Sequence, residues 1–377
     1  TQGYYNGGNY LYITEWRSLG NAIFDKEVAG SKQEAMRQVY VDHDGNPDIG
    51  WGTVSEFDVG MDGVFLNNRL SLQLDYYNMR TKGIVMGAMV PGIMGMTGFY
   101  DNVGENKYFG VDGYISFTDN IGAFGYSIGA NAGFNNSEVI ANNQPEYEYE
   151  WLNQVGNPTD AIYSFRALGL FKDSTDISNS PEQTYGAVLP GNIKYKDLNG
   201  DGKVTSNYDR EMIGHTNPRF TYGLNFSLRY KGIQLYVLGY GMSRRDVNVQ
   251  NNPYYHSYGN DKYSKYILDN AWTEGFNEDP NALHPRLTTG NLRNDNLTST
   301  YWLRNAAFFK IKNVELSSNL PEVVTNSLNI SRIRLFVRGT NLLTFSEIEE
   351  LDPENLNLGV TTYPYARTFT GGISVNF

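Results

Sequence analysis

The connections between the strands of this chain alternate between very short and very long, and few folds tolerate that rhythm. Asn67-Asn68 and Lys231-Gly232 suit two-residue hairpin turns, and short links also fit around 119–122 and 320–330. Between them lie polar stretches rich in Gly, Pro and Asn at about 83–105, 138–218, 243–303 and 346–367. Soluble β-sandwiches mix loop lengths at both ends, and structureless connections of this size are uncommon in compact domains. A transmembrane β-barrel has brief turns on its periplasmic side and long loops outside.

The segments between these connections read as strands. In Phe369–Phe377, residues Phe369, Gly371, Ile373, Val375 and Phe377 share one face, and Thr370, Gly372, Ser374 and Asn376 share the other. Phe220, Tyr222, Leu224, Phe226, Leu228 and Tyr230 alternate with Thr221, Gly223, Asn225, Ser227 and Arg229. Leu70, Leu72, Leu74 and Tyr76 alternate with Ser71, Gln73, Asp75 and Tyr77. Ile333, Leu335 and Val337 alternate with Arg332, Arg334, Phe336 and Arg338. Further strands read at about 54–66, 106–118, 123–137, 233–242 and 304–319, and no helical periodicity of any length competes with them. An amphipathic strand ending the chain on an aromatic residue looks like the last strand of an outer-membrane barrel.

Composition allows such a barrel and excludes several other classes. The 377 residues include 40 Gly and 29 Tyr, with aromatics at 14%. A mean hydropathy of −0.47 excludes a bundle of membrane helices. The uncharged run Gly83–Phe99 is interrupted by glycines and a proline and reads as an apolar loop. A net charge of −11 argues against a nucleic-acid partner. The absence of cysteine excludes thiolate catalysis, iron–sulfur clusters and disulfides. Thr1 is not a natural start, and an outer-membrane protein needs a signal segment, so the chain is expected to be a mature or truncated piece. Counting back from residue 377 gives nine strands, the first near Val54. Single-chain bacterial barrels have even numbers and no open edge. Either Tyr10–Trp16 supplies a tenth strand, or the chain is the carboxyl-terminal part of a larger barrel. Residues 1–53 are then an external loop with a partial strand, and 54–377 are wall.

Blocks along the chain carry a family likeness. They are Asn68–Lys82 with Asn102–Asp112, Tyr195–Gly202 continuing through Ile213–Gly223, and Trp302–Val314. Asn341–Thr344, Leu351–Glu354, Tyr363-Pro364 and Arg367–Gly371 complete the set. In order and spacing these resemble the SusC/RagA-type TonB-dependent outer-membrane transporters of Bacteroidota, across about residues 50–377. The resemblance implies an all-β fold: a 22-stranded transmembrane antiparallel barrel of which about the last nine strands are here, with the plug domain and TonB box upstream of Thr1. It also implies import of a glycan, or of a peptide, across the Gram-negative outer membrane. The implied partners are a SusD-like surface lipoprotein, the TonB–ExbB–ExbD complex and outer-membrane lipid. No enzymatic activity is expected. A soluble carbohydrate-binding β-protein and a stand-alone barrel enzyme or adhesin are the alternatives.

The sharpest local motif is Asp197-Leu-Asn199-Gly-Asp201-Gly202-Lys203. Oxygen ligands at positions 1, 3 and 5, Gly at 6 and a carbonyl at 7 form the front half of a Ca²⁺ loop. The closing acid is displaced by one residue to Asp209, since Tyr208 stands at position 12. Either the loop holds Ca²⁺ through Asp197, Asn199, Asp201, the Lys203 carbonyl and Asp209, or the same residues form a self-hydrogen-bonded turn. The four histidines lack zinc-site spacing. Asp42-His43-Asp44-Gly45-Asn46 reads as a polar turn first and a ligand cluster second. Pairs such as Glu349-Glu350 read as solvated loop charges. Aromatic residues crowd the loops, namely Tyr147, Tyr149, Trp151, Tyr254, Tyr255, Tyr258, Tyr263, Tyr266 and Trp272. As a group they are expected to line a substrate or lid interface.

Overall fold

The computed structural model describes residues 2–4, 10–23, 35–88, 93, 96–256, 263–288, 293–327, 330–356 and 365–376. Nine long strands form one wall: β1 (Gly52–Phe65), β2 (Leu70–Ala88), β3 (Met96–Ile121), β4 (Phe124–Ala141), β5 (Phe220–Tyr230), β6 (Ile233–Met242), β7 (Phe308–Asn319), β8 (Arg332–Ser346) and β9 (Thr368–Asn376). Each pairs antiparallel with the next in sequence, an up-and-down meander. The nine strands are those read from the alternation, in the same order.

The tight turns lie at one end of the wall. Between β5 and β6, Lys231 and Gly232 have φ of 45° and 86°, and Tyr230 faces Ile233, a two-residue turn with both central residues left-handed. Gly232 has an Asn319 carbonyl 3.2 Å from where a Cβ would stand. Gly232→Ala is therefore expected to cost about 1–2 kcal/mol through the left-handed backbone alone, measurable by urea unfolding in lipid vesicles. Between β1 and β2 the turn is longer than the two residues read from Asn67-Asn68. Phe65 faces Leu70, leaving four residues between them, of which Leu66, Asn67 and Asn68 have positive φ. The link from β7 to β8 contains a helical turn, Glu322–Ser327.

The two faces of the wall differ. Along β9, Phe369 is 74% exposed and Ile373 68%, and their partners across the ladder are Gly339 and Leu335. Phe57, Val59, Met61, Leu74, Ile115, Ile128, Leu224 and Val337 extend this apolar surface across β1 to β8. Water does not stabilise an apolar band of that extent, whereas lipid does. Aromatic rings bound it at both ends. Near the long-loop end, Phe220 stacks on Tyr222 at 5.5 Å, Tyr222 on Phe309 at 5.9 Å, and Phe309 on Phe345 at 6.4 Å. Near the tight turns, Tyr126 lies 6.0 Å from Phe117 and 6.3 Å from Phe124. Such girdles sit at the two membrane interfaces of a barrel. The opposite face is polar, with Asp58, Asp62, Asp75 and Asp112 on β1 to β3. On β7 and β8, Arg338 Nε donates to Glu315 Oε2 at 2.7 Å, and Arg334 pairs with the other oxygen.

Two expectations need correction. The expected loop 83–105 is mostly wall, because β2 continues to Ala88 and β3 starts at Met96, with a ladder from Lys82↔Glu105 to Ala88↔Phe99. Its glycines read as breakers, but a bulge near Gly83 (φ 70°) absorbs the break and cross-strand pairing carries on. The partial strand expected at Tyr10–Trp16 is instead a hairpin of Glu15–Ile23 with Ala35–Asp44. Its second strand runs parallel to the start of β3, with Val41 opposite Met96 and His43 opposite Gly98. Among the described residues α-helix is confined to three short pieces, Ser174–Ser178, Lys265–Asn270 and Glu322–Ser327, each too short to carry a helical period.

At the wall's edges, β1 pairs on its outer side with Gln2–Tyr4, and among the described residues β9 pairs only with β8. Among the described residues, no helix is long and apolar enough to cross a membrane. Phe377, expected to close the aromatic terminus, lies outside the described residues.

Candidate functional site: the external loop cap

The long loops leave the same end of the wall and fold onto one another. Ala161–Phe165 pairs with Arg210–His215, Ala167–Leu170 with Ile193–Tyr195, and Asp246–Asn248 with Leu303–Asn305. These short ladders consume backbone groups that a structureless loop would leave to water. Their apolar sides meet in one core containing Phe165, Ile193, Tyr195, Val249, Trp272 and Trp302, with Ile348 and Leu356 supplied by the last loop. Trp302, Tyr195 and Ile193 are completely buried. All three loops therefore share one core.

A polar strut crosses that core. The buried carboxylate of Asp295 accepts from Asn192 Nδ2 at 2.6 Å and from the Ile193 amide at 2.8 Å. Asn294 Nδ2 donates to the Ile193 carbonyl and its own carbonyl accepts from Tyr195 Oη, both at 2.7 Å. Trp302 Nε1 donates to the Asp295 carbonyl at 2.9 Å. At the wall, the buried Lys310 ammonium on β7 donates to Asp352 Oδ1 at 3.0 Å and also pairs with Glu354. That contact ties the last external loop to the polar face of the wall. A cavity of about 780 Å³ opens beside it, bounded by Lys310, Thr344, Glu350, Tyr365 and Arg367.

Two buried groups make the cap respond to pH in opposite senses. Burial lowers His284 to about 4 from an ordinary value of 6.5, and lowers its stacked neighbour His256 as well. Burial raises Asp295 to about 6 from 3.8. As pH falls from 6.5 to 4, unfolded His284 takes a proton that the folded cap refuses, so stability is lost. As pH falls from 6 to 3.8, folded Asp295 takes its proton before the unfolded chain does, so stability is gained. Each shift is worth roughly 3 kcal/mol, so the two largely offset each other. His284→Gln removes the His284 share of this balance, leaving Asp295 and His256 in place. Relative to the parent, it is expected to gain roughly 3 kcal/mol of cap stability between pH 7 and pH 4. Amide hydrogen exchange at Ile193 measures it, and parallel pH profiles for the two proteins would refute the assignment.

The residues singled out from the sequence divide. The Asp197–Lys203 loop is closed on itself: Asp197 Oδ1 accepts from the Gly200 amide at 2.7 Å and Oδ2 from the Gly202 amide at 2.9 Å. Asp201 Oδ1 accepts from the Lys203 amide at 2.8 Å, and Asn199 Nδ2 donates to Asp201 Oδ2 at 3.0 Å. Asp209 is fully buried below, its oxygens accepting from the Leu198 amide at 2.7 Å and the Thr205 amide at 2.6 Å. The carboxylates of Asp197, Asp201 and Asp209 do not gather their oxygens within one ion's coordination sphere. This is the geometry of the self-hydrogen-bonded turn. We propose that the loop works as a turn without an ion: calcium at millimolar concentration is expected to leave the protein's melting temperature unchanged, and a rise of several degrees would favour the calcium reading instead.

The loop aromatics divide likewise. Tyr255 and Trp272 are buried in the cap core and serve its cohesion, with the partly buried Tyr254 and Tyr266 packed against it. Tyr263 Oη donates to the Thr288 carbonyl, and Tyr258 lies outside the described residues. Tyr149 and Trp151 remain half-exposed and stacked at 4.5 Å, with Tyr208 edge-on to Tyr149 at 5.9 Å. Trp151 Nε1 donates to the Tyr208 carbonyl at 2.8 Å, fixing the indole plane. Such a platform can stack against a sugar ring or an aromatic side chain. Phe276, 92% exposed, sits at the tip of a turn closed by reciprocal hydrogen bonds between Thr273 and Asn277. Reading the sequence missed Asp295 and Phe276, because isolated polar and aromatic residues in a loop carry no period.

Comparison with known proteins places this architecture. No family model matches the chain. Over 98% of its length the chain is 26% identical to TonB-dependent receptor P3 of Formosa agariphila, covering 38% of that protein. It is 24% identical to TonB-dependent receptor P26 of the same organism over 88% of the chain, and 21% identical to TonB-dependent receptor SusC of Bacteroides thetaiotaomicron, also over 88%. The chain thus spans only about a third of the length of these relatives. Its fold matches a solved structure of the RagAB peptide transporter with a TM-score of 0.69 at 22% identity, covering the whole chain and 40% of that one. The RagAB peptide importer in its open-open state matches with a TM-score of 0.67.

Proposed function

We propose that this chain, a relative of the SusC/RagA-type TonB-dependent transporters, forms part of the wall and external cap of an outer-membrane importer. The observation that carries this reading is the union of a lipid-suited wall with three external loops sharing one core above it. The rest of the barrel, a plug domain and a TonB box would come from elsewhere in the polypeptide, with energy supplied through TonB–ExbB–ExbD. The chain's own part is passive: wall, rim and a stiff external platform, with no catalytic role. A glycan is the favoured cargo, because the Tyr149–Trp151 pair offers a flat, half-exposed aromatic face; a peptide is the other.

A SusD-like lipoprotein would close over the cap, and Phe276 is the residue best placed to meet it. A lone ring held on a rigid turn loses little entropy on docking. The test is affinity purification of the tagged full-length protein from outer membranes. A surface lipoprotein should co-purify in stoichiometric amount, and Phe276→Asp should reduce its recovery at least tenfold. Uptake of labelled oligosaccharides and peptides by cells carrying or lacking the parent gene then separates the cargo classes. Uptake of both classes unaffected by deletion would overturn the import reading, and full recovery with Phe276→Asp would overturn the docking residue alone.

A further inference from the structure

One group of metal-ligating side chains lies outside the cap, on the hairpin at the external mouth of the wall. Glu15 opens the first hairpin strand, and Asp42 and His43 close the second. One ligand atom from each of the three lies within 4.8 Å of the other two, a combination found at no other place among the described residues. His43 Nδ1 stands 3.6 Å from Glu15 Oε2 and 3.8 Å from Asp42 Oδ2. Those separations are too long for a hydrogen bond. They are close to the spacing of about 3.3–3.5 Å between two ligands of one tetrahedral zinc ion with bonds of about 2.0–2.1 Å.

The imidazole is held for that use. His43 is 6% exposed, its ring packs edge-on against Tyr100 at 5.6 Å, and its Nε2 faces the packed side with no hydrogen-bond partner. Nδ1 is therefore the working nitrogen, and it points at two carboxylates. The backbone around it is anchored, since Asn46 Nδ2 donates to the Tyr100 carbonyl at 2.8 Å and Thr14 Oγ1 holds Asp44 away at 2.7 Å. One cation already serves the carboxylates. Arg17 Nε donates to Glu15 Oε1 at 3.1 Å and Arg17 Nη2 lies 3.3 Å from Asp42 Oδ2, on a side chain that is 56% exposed. Exposed pairs of this kind are weak, so the guanidinium can swing out and leave both carboxylates in place.

We propose that Glu15, Asp42 and His43 bind one divalent ion of the zinc class at the external mouth, with water as the fourth ligand and Arg17 as its competitor. One imidazole and two carboxylates suit zinc or its neighbours better than calcium, which takes oxygen alone. The ion would bridge the hairpin to β3 through the His43–Tyr100 contact. The test is calorimetric titration of Zn²⁺ alone into the full-length detergent-purified protein after chelator treatment. One equivalent is expected. Glu15→Gln and His43→Gln should each weaken it at least tenfold, Arg17→Ala should tighten it severalfold, and His215→Ala should leave it unchanged. Far-UV circular dichroism of each variant confirms the fold, and Glu15, being exposed, keeps the test valid should His43→Gln loosen the hairpin. Zinc binding insensitive to both Gln variants, or absent from the parent and from Arg17→Ala alike, would overturn the proposal.

Discussion

Ile373→Arg is expected to destabilise the wall by about 2–4 kcal/mol in a bilayer, whereas Ser374→Arg, one residue on, is expected to change it by less than about 0.5 kcal/mol. Ile373 lies on the apolar face of β9 opposite Leu335, is largely exposed, and sits midway along the strand. Arginine there places a charge in hydrocarbon, where its hydration is lost. Ser374 lies opposite Arg334 on the polar face, where water or other polar groups solvate a new charge. Refolding into vesicles across a denaturant series measures both. Equal costs at the two positions would mean that both faces see the same medium, as in a soluble sandwich.

Trp302→Ala should open the cap while sparing the wall, at a cost of about 3–5 kcal/mol. The indole is completely buried, lies 4.6 Å from the His256 ring and 5.1 Å from Tyr301, and donates to the Asp295 carbonyl. Its loss leaves a cavity at the junction of the loops and orphans the carbonyl of the strut. Because the wall strands β5 to β9 keep their ladders, the damage is expected to stay local. Limited proteolysis should cut within 142–219 and 243–307 many times faster than in the parent, while the gel shift between boiled and unboiled protein persists. Trp302→Phe, which refills most of the space, should recover most of the protection. Cutting that spreads into the wall would show that cap and wall fold as one unit.

The wall was legible in the sequence because its physics repeats. Period-two alternation in Phe220–Tyr230 and Phe369–Asn376, together with a left-handed turn at Lys231-Gly232, fixes strand, face and register locally. The wall's upper reach in 83–105 was hidden because glycine both breaks and bulges a strand, and only the partner strand decides which. The cap was hidden for a different reason. Ile193, Asp295 and Trp302 meet across about a hundred residues of sequence, and no local pattern announces such contacts. Tyr255 and Trp272 show the same limit, since an aromatic residue in a loop reads alike whether it faces a ligand or builds a core. The Asp197 loop was legible as a turn but not as to its occupant, because oxygen spacing is shared by calcium loops and by turns that bind their own amides.

That β9 separates lipid from a polar interior is the claim on which the rest stands, and one measurement addresses it most directly. This chain has no cysteine, so single cysteines at positions 369 to 376, with any cysteine elsewhere in the full-length protein replaced by serine, can each carry a nitroxide label in lipid vesicles. Collision with oxygen, which concentrates in lipid, and with a water-soluble nickel chelate is then read by electron paramagnetic resonance. Labels at 369, 371, 373 and 375 should favour oxygen and those at 370, 372, 374 and 376 should not, a strict period of two. Uniform accessibility to the nickel chelate at all eight positions would contradict a membrane wall.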